Sequence, residues 1–246
     1  MQREFNSLEK LIKSNIKGRH VYYAANSGNW GDSLIREGTT KFLRDVGIDY
    51  EELRLVKRDW ILPVMKGGVV LYGGGGAWCN SWNSSEKYVR VISKRFKVIV
   101  LPSTYEYTYK IPNTIFTTRD IYNSKNVMPN ALFCHDMAFY LGSQNYENGK
   151  GAGYFYRTDK ESKGNLTIPA SNRDISAEGN HFSEGITFFN ELAKYSVIHT
   201  DRLHVAIASC LLDREVHLYP GSYFKNLAVF KSSIEPYFNN VHFHKS

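Results

Sequence analysis

The chain has 246 residues, 42% of them hydrophobic and 22% charged, and a formal net charge of +7. It can bury a sizeable core as one large domain or two small ones. The positive charge favours anionic partners. However, Lys and Arg are scattered with no basic run of five or more, and no aromatic platform lies amid them, which argues against nucleic acid.

The first eighteen residues, "MQREFNSLEKLIKSNIKG", read as an amphipathic helix, because Glu4, Glu9, Lys10 and Lys13 interrupt the apolar core a signal peptide needs. No run approaches the roughly 18 apolar residues of a membrane span. Cys79, Cys134 and Cys210 stand singly among apolar or aromatic neighbours, which suits buried thiols in a reducing compartment. A cytoplasmic protein is expected. Beyond the first helix, "HVYYAAN", "GVVLYGGGG", "KVIVLPST", "TIFTTRD" and "ALFCHDMAF" are short β-branched runs. They alternate with the helical patterns "DSLIREGTTKFLRDVG" and "SSEKYVRVISKRF". That rhythm predicts βαβ units and a parallel sheet covered on both faces. The polar, glycine-rich "QNYENGKGAG" at 144–153 reads as a linker, after which the rhythm restarts. The expected fold class is therefore α/β, with two Rossmann-like lobes at 1–145 and 150–246 facing across a cleft. Ligands of such sheets bind where strands end and helices begin.

Five stretches have that placement. In "ANSGNWGDSLI", Asp32 caps the next helix; the alternatives are a plain tight turn, or Asn26, Asn29 and Asp32 offering hydrogen bonds to a sugar hydroxyl or phosphate. The spacing is not that of a dinucleotide fingerprint. In "LYGGGGAWCNSW", four glycines exceed what a turn requires. They suit close approach of a ligand or of another backbone, with Gly74 and Gly75 in an anion nest and Trp78 or Trp82 stacked on a sugar ring. Arg157 ends a strand in "YFYRTDKES", either as a surface ion pair or as half of an anion site.

The fourth stretch, "YSVIHTDRLHVAIASCLL", sets Arg202 and His204 in the first turn of an apolar helix, with Asp201 as its N-cap. A helix N-terminus disfavours positive charge by roughly 0.3–1 kcal/mol per group. A bound anion reverses that cost, since free amides and a planar guanidinium fork both favour carboxylate or phosphate. His204 would then be placed to give up a proton when an anionic substrate arrives. In the fifth, "YPGSYFKNLAVF", Ser222, Tyr223 and Lys225 open a helix after a strand, as a plain surface start or facing the same anion. His20, His181, His217, His242 and His244 show no metal-ligand spacing, and the ending His242-x-His244 reads as an exposed tail, the alternative being a weak metal site.

Taken in order, Asn29-x-Gly31-Asp32, Gly73–Gly76, Arg119-Asp120 with Ser124, Asp136, Arg157, Arg202-Leu-His204 and Lys225 resemble the polysaccharide pyruvyl transferase family over nearly the whole chain. The resemblance implies a fold like that of GT-B glycosyltransferases. It implies transfer of the pyruvyl group of phosphoenolpyruvate to a sugar as a cyclic ketal, with phosphoenolpyruvate as co-substrate and neither cofactor nor metal. It also implies that Arg157, Arg202 and His204 carry the donor site. On that basis Ser222, Tyr223, Lys225, Gly74 and Gly75 would assist the donor, and Asn26, Asn29, Asp32 and Trp78 would receive the acceptor. That acceptor would be a lipid-linked or nucleotide-linked sugar, met at the inner face of the membrane. The competing readings are a nucleotide-sugar glycosyltransferase and a non-catalytic carbohydrate-binding relative.

Overall fold

Strand-forming and helix-forming segments alternate along the chain as the apolar patterning requires. The computed structural model describes residues 1–53, 67–164 and 166–245. They form two compact units that are discontinuous in sequence. Unit 1 comprises Met1–Ser27 and Thr39–Asp136; unit 2 comprises Gly28–Gly38 and Met137–Ser246. The sequence reading had placed one boundary between residues 145 and 150.

Unit 1 begins with α1 (Gln2–Ile16), whose Phe5, Leu8 and Ile12 recur at helical spacing and are all buried. β1 (His20–Ala24) leads into α2 (Trp30–Asp45), of which residues through Gly38 count with unit 2. Next come β2 (Glu51–Glu52), β3 (Gly68–Tyr72), β4 (Gly75–Trp78), α3 (Ser84–Ile92) and β5 (Lys97–Tyr105). β6 (Thr114–Thr118), α4 (Asn123–Val127) and β7 (Leu132–Phe133) complete it. The sheet runs β2-β1-β3-β5-β6-β7, with β4 also on β5, and every pairing is parallel. β3 is buried throughout, as expected for a parallel strand covered on both faces. Tyr22, Val70, Trp78, Phe96, Val98 and Val100 belong to its core.

Unit 2 opens with a 3-10 turn, Met137–Leu141, followed by β8 (Ala152–Phe155) and a second 3-10 turn, Ile175–Glu178. α5 (Gly185–Ala193), β9 (Val197–Thr200), α6 (Leu203–Leu211) and β10 (Glu215–Leu218) form the centre. α7 (Lys225–Val229) runs on as a π-turn, Phe230–Ile234, before β11 (Val241–Phe243). Its four strands are parallel in the order β11-β10-β9-β8. α6 is apolar on every side because all its residues except His204 are buried.

The ending His242-x-His244 is not a loose tail, although His242 stays exposed. It belongs to the last strand and its edge, with His242 level with His217, whose Nδ1 lies 2.9 Å from Nε2 of His244. Among the described residues, no group of three or more His, Cys, Asp or Glu is arranged to hold a metal ion. Among them too, no helix is long and apolar enough to cross a membrane. All three cysteines are buried and unbridged.

Candidate active site

The carboxyl edge of the second sheet gathers the cationic residues. β8 ends at Phe155 just before Arg157, β9 ends at Thr200 just before Asp201 and Arg202, and β10 ends at Leu218 ahead of Ser222 and Lys225. Because the strands are parallel and in direct register, these three turns emerge side by side.

They are joined by a chain of alternating charges. Lys225 Nζ donates to Glu161 Oε2 at 2.6 Å, and Arg157 Nη1 donates to the same oxygen at 2.5 Å. Asp159 spans both arginines, with Oδ1 3.0 Å from Arg157 Nε and Oδ2 2.8 Å from Arg202 Nη1. Arg202 finally makes a fork on Asp174, from Nε at 2.9 Å and Nη2 at 2.6 Å. Three cations thus face three carboxylates, and the cluster is balanced from within. Gly221 lies over Arg157, where an added Cβ would sit 3.7 Å from Nη1. The ring of Tyr223 stands 5.2 Å from the Lys225 ammonium, a cation–π contact. Ser222 contributes its backbone N–H to the Glu161 carbonyl at 3.0 Å.

The titration behaviour follows from this balance. Burial pushes the Glu161 carboxyl up, but Lys225 and Arg157 outweigh it and hold the group at about 2. Asp159 is likewise held below the usual carboxylate range, with partial burial opposed by Arg157 and Arg202. Asp201 goes the other way: burial raises it to about 6, against the Arg157 N–H and the two guanidinium charges. Asp201 is not the N-cap of α6. Arg202 occupies that position with extended backbone, and the Asp201 carboxylate instead accepts the Arg157 N–H at 2.7 Å. Thr200 Oγ1 accepts the Arg202 N–H at 2.9 Å, so the turn is closed by the preceding strand.

His204, half-buried in the first turn of α6, meets a second motif. Gly31 packs so closely that a Cβ there would lie 2.8 Å from both Cβ and Nδ1 of His204. Gly31 is held by a reciprocal cap: Asn29 Oδ1 accepts the Gly31 N–H and Asp32 Oδ2 accepts the Asn29 N–H, each at 2.9 Å. Asp32 therefore lies inside α2, which starts three residues earlier than a cap at Asp32 would have it. Trp30 anchors this start, its Nε1 donating to the Glu184 carbonyl at 3.1 Å and its ring packed edge-on against Phe188. Asn29 and Asp32, expected on the acceptor side of the first lobe, thus belong to unit 2 and brace the helix end beside His204.

The remaining sequence candidates lie in unit 1. Trp78 is 1% exposed, packed against Tyr105, Tyr109 and Phe116, and offers no face to a sugar. The glycine run is explained by backbone packing rather than by a nest: a Cβ on Gly74 would stand 2.4 Å from the Pro102 carbonyl oxygen, and Gly75 (φ +117°) begins β4. Asn26 is buried, its Oδ1 accepting from Tyr72 and Ser85 at 3.0 Å each. Arg119, fully buried, donates to Asp136 at 2.6 Å and to Thr104 at 2.8 Å, which ties β6 to the segment after β7. Sequence reasoning missed the counter-charges. Asp159 and Glu161 were legible two and four residues after Arg157, whereas Asp174 reaches Arg202 only through the fold.

Parallel sheets of β-α-β build, with polar side chains gathered at a carboxyl edge, define a Rossmann-like α/β protein. Residues 29–220 match the family model for polysaccharide pyruvyl transferase, and the chain belongs to that family. It is similar to a functionally uncharacterised protein from Klebsiella pneumoniae subsp. pneumoniae, whose crystal structure gives a TM-score of 0.84 at 26% identity over the whole of both chains. No curated protein matches the sequence.

Proposed function

We propose that the chain transfers the pyruvyl group of phosphoenolpyruvate to a sugar and closes it as a ketal, with the donor held at the carboxyl edge of the second sheet. The observation that carries this reading is the convergence of Arg157, Arg202 and Lys225 beside the turn that bears His204. Phosphoenolpyruvate presents a carboxylate and a phosphate close together, which suits two guanidinium forks and an ammonium. Arg157 and Arg202 hold the donor, and Lys225 takes the phosphate. Ser222 and Tyr223, which open α7 beside Lys225, line the same side.

His204 delivers a proton to the methylene carbon, which becomes the methyl group while C2 becomes electrophilic. One sugar hydroxyl adds to C2, the C2–O bond to phosphate breaks, and a second hydroxyl closes the ring. Of the two hydroxyl protons, one replaces the proton spent by His204 and the other leaves on inorganic phosphate. These residues complete the sequence of steps with proton transfer and charge stabilisation. The GT-B-like arrangement implied by the resemblance, a cytoplasmic site of action, and a lipid-linked or nucleotide-linked acceptor are parts of the same proposal. It rests on family membership and on this cluster.

The test is incubation with phosphoenolpyruvate and a panel of sugar acceptors, following phosphate release. Acceptor-dependent release that is lost in Arg157→Ala and Arg202→Ala supports the reading. Turnover of nucleotide sugars with indifference to phosphoenolpyruvate sinks it in favour of a glycosyltransferase.

A further inference from the structure

The three carboxylates of the cluster are not equivalent. Glu161 and Asp174 are fasteners. Glu161, 4% exposed, clamps Lys225 and Arg157 through one oxygen. Asp174, 6% exposed, takes the Arg202 fork and also accepts the Thr158 N–H at 2.8 Å and the Thr158 hydroxyl at 3.0 Å. Withdrawing either would strand a buried cation. Asp159 differs on both counts. Its side chain is 32% exposed, the most of any member of the network, and its carboxylate touches the two guanidiniums at once. It is anchored otherwise by the Glu161 N–H, which donates to Oδ1 at 3.0 Å.

We propose that Asp159 is a built-in counter-anion: its carboxylate occupies the place between Arg157 and Arg202 that an incoming carboxylate or phosphate takes, and it turns out to solvent when that anion binds. This rests on reading the cluster as an anion site and adds to it how the site is kept in order before the donor arrives. Without Asp159, two guanidiniums a few ångströms apart would repel each other. With it, both are tied to one carboxylate, and its partial exposure makes its release into water cheap. A built-in competitor also raises the selectivity of the site. A single weak anion gains little by replacing Asp159. A ligand with two anionic groups can use Lys225 as well, and so repay the exchange. Between the two guanidiniums the donor then exchanges one carboxylate for another, and its second anionic group is met by Lys225.

The prediction is that Asp159→Asn tightens anion binding, because the competitor loses its charge while the amide oxygen can still accept from Glu161. Isothermal titration of the full chain with inorganic phosphate, pyruvate and phosphoenolpyruvate reads this directly. Removing one like charge at this range should lower Kd about ten- to hundredfold. Asp159→Glu, which keeps the charge, should stay within a few-fold of the parent. Unchanged or weaker binding by Asp159→Asn overturns the proposal, as does the absence of anion binding in both proteins. If Asp159→Asn and Asp159→Ala both fail to fold, Asp159 is a fastener like its neighbours and the proposal falls. The two readings separate cleanly. Tighter phosphate binding without any pyruvyl transfer sustains this inference and defeats the proposed reaction. Pyruvyl transfer by the parent with no gain in affinity in Asp159→Asn does the reverse.

Discussion

Replacing Gly31 with alanine puts a methyl carbon 2.8 Å from Cβ and Nδ1 of His204, with Asn29 Oδ1 3.1 Å away on another side. Carbon contacts settle at about 3.5–4.0 Å, so the imidazole has to retreat by about 1 Å. Overpacking of this kind costs about 1–3 kcal/mol, which in a chain of this size lowers Tm by only a few degrees. A 1 Å displacement of a proton donor, by contrast, costs about a hundredfold in rate. Gly31→Ala should therefore fold, melt slightly early, and lose about a hundredfold of its phosphoenolpyruvate-dependent phosphate release at saturating donor. Gly38→Ala supplies the contrast. Its Cβ would stand 1.9 Å from the Met137 carbonyl oxygen, a backbone atom that cannot rotate away, so stability itself should fail. A folded Gly31→Ala with the parent rate would refute the claim that Gly31 sets the position of His204.

Three further outcomes follow from the charges and the packing. Glu161→Gln removes the carboxylate shared by Arg157 and Lys225 and should cost about 3–5 kcal/mol in urea unfolding, with a loss below about 1 kcal/mol counting against the network. Asp201 titrates near 6 in the fold against 3.8 for an ordinary aspartate, so the folded chain keeps a proton that the unfolded chain has shed between about pH 4 and 6. Stability should therefore fall by up to about 3 kcal/mol as pH rises through that window, and Asp201→Asn should flatten the slope; an unaltered slope contradicts the assignment. Trp78→Phe should cost about 1–3 kcal/mol of stability and leave the acceptor KM alone, whereas a raised KM at unchanged stability would restore its reading as a sugar platform.

Much of the architecture was legible because apolar periodicity reports burial directly. The amphipathic pattern of the first eighteen residues announced α1, whose apolar face the fold buries, and the apolar run after Arg202 announced α6. The expectation that chemistry sits at strand ends brought Arg157, Arg202 and Lys225 to one edge, where the fold joins them. What stayed hidden depends on tertiary contact. The four glycines read as close approach of a ligand or of another backbone, and the sequence does not reveal that it is backbone, Gly74 lying against the Pro102 carbonyl. Trp78 read as a platform for a sugar ring because an aromatic after a turn has no periodic neighbours to show that it is core. Asn29 and Asp32 follow a unit 1 strand in sequence yet pack with unit 2, a discontinuity that only the fold reveals. At the start of α6 no bound anion is needed to offset the dipole: Arg202 is already neutralised by Asp159 and Asp174, so its cost is met before any ligand arrives.

The central claim is that His204 protonates the donor's methylene carbon, and mass spectrometry of the product formed in deuterated water tests it most directly. The account predicts that the acceptor gains the mass of one pyruvic acid less one water, with a single solvent deuteron in the new methyl group, and that His204→Ala forms no such product while remaining folded. Product formed by folded His204→Ala at the parent rate, or a methyl group without solvent deuterium, would contradict it.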